Sequence, residues 1–340
     1  MKKRCLIWLA MLAGATSAWA QPSTPKPQGA APPVESVVVN GASAQAVNTF
    51  VQSVATPTHT IGKVARWEDP ICPYALGLPD DVTAMVVKRV KALAMDVGAK
   101  VSSNAVCKPN LIIAFTSTPQ ALLNSIRTDH PMFLGYHAGP ADLDRLATVT
   151  HPIQAWYSTA TIDLQGHREV DDARTDSTDP GLILTGSCAI LGTQRVPTPT
   201  ALGVMNLPNP AATCTVVLPN ATRNYVRGSR IADDLHAVFD HVTIVADPSA
   251  VTEGMATLND YIAMLALAQM GDPARCQNLP SIANLLARDC QQGAKELTAN
   301  DLNYLKGLYH ANPAQLLGLQ MGEIARRMEQ GGSQEKVKSQ

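Results

Sequence analysis

Aromatic residues are scarce in this chain, 4% of 340, so any core must rest on Val, Ile, Leu, Ala and Met. Long apolar runs are missing as well. Crossing a bilayer takes about 20 consecutive apolar residues, and no stretch after the first 20 residues is apolar enough to do it. Basic runs are absent apart from the Arg326-Arg327 pair, which argues against nucleic acid and anionic membrane surfaces as partners. Beyond the first 20 residues there is no G-x-S-x-G, P-loop, dinucleotide fingerprint or H-E-x-x-H, and nowhere a C-x-x-C. An enzyme whose nucleophile and base lie far apart in sequence escapes that exclusion, but the common local catalytic signatures do not apply.

The N-terminus carries an export signature. Lys2, Lys3 and Arg4 form a positive region, Cys5 to Thr16 a short apolar core, and Ala18-Trp19-Ala20 a small-x-small cleavage pattern. The expectation is a signal peptide over 1–20, cleaved after Ala20, and a periplasmic or secreted mature chain. Removal of the three basic residues leaves 24 basic against 28 acidic. Six cysteines remain: Cys72, Cys107, Cys188, Cys214, Cys276 and Cys290. An even number in an exported chain suggests disulfides. Sequence alone leaves the pairing open, but the grouping suggests 72–107, 188–214 and 276–290. The spacings of 35, 26 and 14 do not resemble a zinc module.

Residues 21–36 are rich in Pro among Gln, Ser and Ala and read as an extended linker. A single globular α/β domain is expected over 37–330, with a disordered tail at 331–340. Strands are expected at 37–39, 60–67, 110–115, 153–163, 182–184, 213–218 and 241–246. Helical stripes comprise Val47, Phe50, Val51 and Val54, then Val82, Val86, Val90, Leu93 and Val97, the second capped by Asp80 and stopped by Gly98. Shorter helices are expected at 119–126 and 140–149. The four prolines between Cys188 and Cys214 indicate a long irregular excursion, tolerable if a disulfide closes it. From 257 to about 330 the chain reads as helical. Residues 257–269 are apolar on nearly every side, Thr298–Asp301 is a capping box with Leu297 and Leu302 at staple positions, and Pro313 opens a last helix with stripe Leu317, Met321, Ile324 and Met328.

The best local cluster of chemistry-bearing residues is Asp233, His236 and Asp240. On a helix over 231–240 the three would share one face, as a metal site or an acid–base pair requires. Ile231, Leu235 and Val238 fall on the opposite face, so the trio reads first as the solvated side of an amphipathic helix. His241 lies too far round to join it. Trp156 and Tyr157 sit mid-strand and read as core.

Two segments resemble the catalytic domain of zincin metalloproteases, particularly metzincin-like secreted bacterial members. LTANDLNYLKGLY (297–309) is similar to their capped closing helix, and TLNDYIAMLAL (257–267) to their zinc-binding helix. In that register Asn259 and Ala263 stand at the two histidine positions and Asp260 at the position of the general-base glutamate. The resemblance therefore implies a zincin-like member without zinc ligands, since Ala263 cannot bind metal and Asn259 is a poor ligand. LPSIANLLARDC (279–290) and TLNDYIAMLALAQ (257–269) also resemble uncharacterised exported bacterial proteins.

The expected fold is α/β (α+β): a mixed sheet with packed helices, zincin-like by resemblance, closed by a helical C-terminal subdomain. The expected function is non-catalytic binding, with a protein or envelope-associated partner and no cofactor or metal. The alternative is a secreted hydrolase drawing on Asp233, His236, Asp240 or Asp260.

Overall fold

A computed structural model describes residues 42–104, 106–163, 165–171, 182–187, 213–218, 235–250 and 254–338. All fall within one unit, Asn40–Gln340. In chain order the elements are α1 (Ala44–Val54), β1 (Pro73–Leu76), α2 (Asp80–Val97), β2 (Leu111–Phe115), α3 (Pro119–Asp129), α4 (Pro140–Leu146), β3 (Ile153–Ile162), β4 (Arg168–Val170), β5 (Leu182–Ser187), β6 (Thr213–Leu218), β7 (His236–Ala246), α5 (Met255–Leu267), α6 (Ala299–His310) and α7 (Leu317–Lys338). Five strands form a mixed sheet in the order β1-β2-β7-β3-β4, and β5 pairs with β6 in a separate antiparallel hairpin. The fold is α/β, as the sequence suggests.

The parallel part is β1-β2-β7. Its middle strand, LIIAF, is buried at every position, because helices cover both faces of a parallel sheet. Leu111, Ile113 and Phe115 face a large core shared with α1, α2, α5, α6 and α7, while Ile112 and Ala114 face a smaller one with α3 and Trp156. Strand β3 is antiparallel to β7 and obeys the same alternation, Ile153 to the first core and Trp156 to the second. The β1–α2 turn needs Gly77: its φ is +96°, and a Cβ there would lie 1.9 Å from the Phe115 carbonyl oxygen. Gly98 ends α2 in the left-handed conformation, φ +89°.

Helix α5 is buried on almost every side, and its last carbonyls cannot reach water. Three aromatic tips satisfy them. Trp67 Nε1 donates to Ala266 O at 2.7 Å, the Tyr157 hydroxyl lies 2.8 Å from Leu265 O and 2.9 Å from Ala268 O, and the Tyr309 hydroxyl donates to Leu267 O at 2.9 Å. The few aromatics are thus placed where a buried helix end requires a long apolar body with a polar tip.

Several expectations need correction. Residues 60–67 are not a strand: a turn through Gly62 precedes two isolated bridges, Pro57–Val64 and Arg66–Val238. Pro79, not Asp80, is the cap residue of α2, and Thr83 is buried where Val82 was expected. Residues 236–240 begin β7 and are not helical. The last helix starts at Leu317, four residues beyond Pro313, and runs to Lys338 in place of a disordered tail from 331. The expected strand at 37–39 lies outside the described residues.

Disulfides join Cys72 to Cys107 and Cys276 to Cys290. The expected 188–214 bridge falls outside the description, since Cys188 is not among the described residues. Among those residues no helix is long and apolar enough to cross a membrane.

Candidate functional site

The register of β3 against β7 slips by one residue. Ser158 pairs with His241 and Thr159 with Phe239, which leaves Asp240 as the extra residue of a β-bulge. The slip coincides with a change of neighbour on the other side of β7. From Val242 onward β7 pairs with β2, whereas Val238 bridges to Arg66, whose carbonyl accepts from Phe239 N at 3.0 Å. The bulge therefore sits where two separate stretches of chain meet the same strand edge, and Glu68 and Asp69 follow directly from the second.

A charged cluster forms there. Arg168, on the edge strand β4, is in line with Ile162 and hence with His236 across β3. Its guanidinium reaches Asp240 Oδ1 at 2.8 Å, Phe239 O at 3.2 Å and the Asp69 carboxylate. His236 Nε2 lies 3.2 Å from Glu68. Burial grades the cluster: the side chain of Asp240 is 5% exposed, that of Arg168 19% and that of Asp69 59%. The hydrogen bond from His236 holds the Glu68 carboxyl below the usual range, against the opposing effect of burial. At Asp240 burial prevails over Arg168 and pushes the carboxyl above its ordinary value. Asp240 Oδ2 and Arg168 Nε have no hydrogen-bond partner, so the pair meets through a single contact and not through a two-point fork.

Next to the bulge, His241 is 2% exposed, its ring lies edge-on to Phe133 with centroids 4.6 Å apart, and its Nε2 has no partner. Burial, reinforced by the Lys108 charge, lowers its pKa to about 3, so it is neutral at physiological pH. On the opposite face of β4, Asp171 accepts from Thr159 Oγ1 at 2.7 Å and Thr161 Oγ1 at 2.8 Å. That contact holds the edge strand to β3.

Of the five sequence candidates, His236 and Asp240 both lie on β7, four residues apart on a strand and not on a helix face, His236 paired with Glu68 and Asp240 with Arg168. Asp233 lies outside the described residues. Asn259 and Asp260 belong elsewhere. Asn259 is buried within α5, and Asp260 pairs with Arg89 of α2 and accepts from Leu297 N at 3.0 Å. Ala263 is fully buried and Asn259 nearly so, while Asp260 is partly buried. Among the described residues, no group of three His, Cys, Asp or Glu is placed to hold a metal ion. Glu68, Asp69 and Arg168 were not anticipated. They stand about 70 to 170 positions from Asp240 in the chain, and no local spacing could have linked them.

Comparison with known proteins finds no matching family model, no similar curated protein and no similar solved structure. The comparisons thus lend nothing to the zincin resemblance or to the likeness to exported bacterial proteins.

Proposed function

We propose that the chain is an exported, non-catalytic binding protein, its signal peptide at 1–20 directing it to the periplasm or beyond, with a protein of the envelope as its partner. One observation carries the non-catalytic reading: the described candidate acid–base groups are already engaged in holding the fold. His236 is bound to Glu68, Asp240 to Arg168, and Asp260 to Arg89 and the Leu297 amide. A general base must be able to reach a substrate proton, and a metal site needs converging donors; each of these residues is instead directed at its own structural partner. The export signature supports the location, and the two disulfides are compatible with it.

A second reading, a secreted hydrolase, has one observation in its favour. Asp240 is a carboxyl raised by burial with one oxygen unpartnered, the property expected of a general acid. Both readings face the same experiment: protein purified without chelators is analysed for metal and assayed against peptide, ester and glycoside panels, beside Asp240→Asn. The expected result is no stoichiometric zinc, no turnover, and a discrete partner adduct on crosslinking in intact cells. One zinc per chain, or turnover that Asp240→Asn abolishes, would overturn the non-catalytic reading.

A further inference from the structure

The two disulfides differ at one end: Cys107 and Cys290 are both half-buried, whereas Cys72 is buried and Cys276 exposed. Cys72 is 5% exposed and joined to the start of the sheet, its N–H donating to Asn110 Oδ1 at 2.7 Å and its carbonyl accepting from Asn110 N at 3.2 Å. Cys276 is exposed and Cys290 half-buried, in the connection between α5 and α6. Exposed Arg275 directly precedes the first sulfur and exposed Arg288 lies two residues before the second, with Asp289 as the neighbouring acid. Asp289 itself has φ +55°, the left-handed region that costs a non-glycine residue energy.

The same connection is fastened without its disulfide. Asn284, 2% exposed, accepts from Gln277 N at 2.6 Å and donates to Leu279 O at 3.1 Å and Gln292 O at 2.9 Å, tying the two ends of the loop together from inside. Ser281 N donates to Gln292 O at 3.1 Å. The Asp301 carboxylate accepts from Ser281 Oγ and, at 2.9 Å, from Ile282 N, which anchors the loop to the N-terminus of α6. Ile282 is fully buried in the main core. These bonds span the same residues as the covalent link, so cleavage of the link leaves them in place.

We propose that Cys276–Cys290 is a thiol–disulfide exchange site that a dithiol oxidoreductase reduces in the folded chain, while Cys72–Cys107 is a permanent staple. A thiolate of the oxidoreductase attacks Cys276 Sγ. The Cys276–Cys290 bond breaks, a mixed disulfide forms, and Cys290 leaves as a thiolate that takes a proton from water. The second thiol of the oxidoreductase then attacks the mixed disulfide and releases Cys276. Two electrons have passed to the protein, and the oxidoreductase leaves as its own disulfide. This inference is independent of the proposed binding function.

The test uses the full mature chain with dithiothreitol as probe. Samples are quenched over time with an alkylating agent and the labelled cysteines are identified by peptide mass. Labelling of Cys276 and Cys290 at least about tenfold faster than Cys72 and Cys107, with near-UV circular dichroism retained, is the expected result. Amide exchange should show the 277–292 loop still protected after reduction in the wild type and deprotected in reduced Asn284→Ala. Any smaller rate ratio, earlier opening of Cys72–Cys107, or loss of the near-UV signal together with reduction of Cys276–Cys290 would overturn the proposal.

Discussion

His241 illustrates what burial does to a single titratable group. Its ring is enclosed by the sheet and Phe133, and its pKa falls from the ordinary 6.5 to about 3. The unfolded chain therefore takes up a proton below 6.5 that the folded chain refuses. Stability contributed by the neutral ring is present above that pH and is lost as pH falls from 6.5 toward 3, about 2 kcal/mol of it by pH 5. His241→Leu should flatten the acid limb of the stability–pH curve over that window, as read by urea denaturation between pH 4 and 7. Arg168 and Asp240 make a different residue-scale case. Burial already outweighs the arginine at Asp240, so removing the negative charge and removing its partner are unequal operations. Asp240→Asn should cost within about 1 kcal/mol, since Arg168 keeps Asp69. Arg168→Met should cost about 3 kcal/mol at pH 7 by stranding a buried carboxylate. The Arg168→Met deficit should shrink at pH 4, where the carboxyl can accept a proton; a deficit that grew on acidification would contradict this account.

Among the elements, α5 shows how a helix can be recognised from sequence while the means of closing its end cannot. Its length and its all-round apolar character are legible in TLNDYIAMLALAQ (257–269), and the helix runs from Met255 to Leu267, two residues earlier at each end. The donors to its last carbonyls come from Trp67, Tyr157 and Tyr309, spread over some 240 positions. Tyr157→Phe removes a hydroxyl placed against two buried carbonyls and should lower stability by about 1–2 kcal/mol. The Tyr261 hydroxyl is buried with no partner, so Tyr261→Phe should be neutral or stabilising by thermal denaturation. Equal losses in the two variants would refute the capping role of Tyr157. The capping box of α6 was legible in full, because both of its partners, Thr298 and Asp301, lie within one turn. The reading of 236–240 as part of a helix fails for the opposite reason. Ile, Leu and Val at spacings of three and four suit a helix stripe, while β7 is a central strand buried on both faces and so carries no two-residue alternation to reveal it.

At the scale of the whole molecule, the sheet is held from one end by Cys72–Cys107, which joins the approach to β1 to the approach to β2. Closing 35 residues, this bridge should contribute about 4 kcal/mol in the chain-entropy account, against about 3 for the shorter loop of Cys276–Cys290. Denaturant titrations of Cys72→Ala/Cys107→Ala and Cys276→Ala/Cys290→Ala should rank them in that order. A larger loss from the second pair would contradict the assignment of the first as the main staple. The charged cluster at the bulge belongs to this scale too, since it joins the segment after Arg66, the edge strand and the first half of β7.

Local pattern alone determined a good deal of this protein. The stripe of α1, the left-handed stop at Gly98, the continuous burial of β2, the buried α5 and the box that starts α6 all rest on contacts within a few residues or on periodicity. Two disulfide pairings followed from simple proximity in sequence. What only the tertiary structure decided is whatever depends on distant parts of the chain meeting: the neighbours of β7, the bulge that makes Asp240 an ion-pair partner, and the aromatic caps of α5. The reason is physical. A helix face or a turn is set by bonds that close within one or two turns of chain, whereas a buried charge or an orphan carbonyl is answered by whichever group packing brings within about 3 Å, at any separation in sequence.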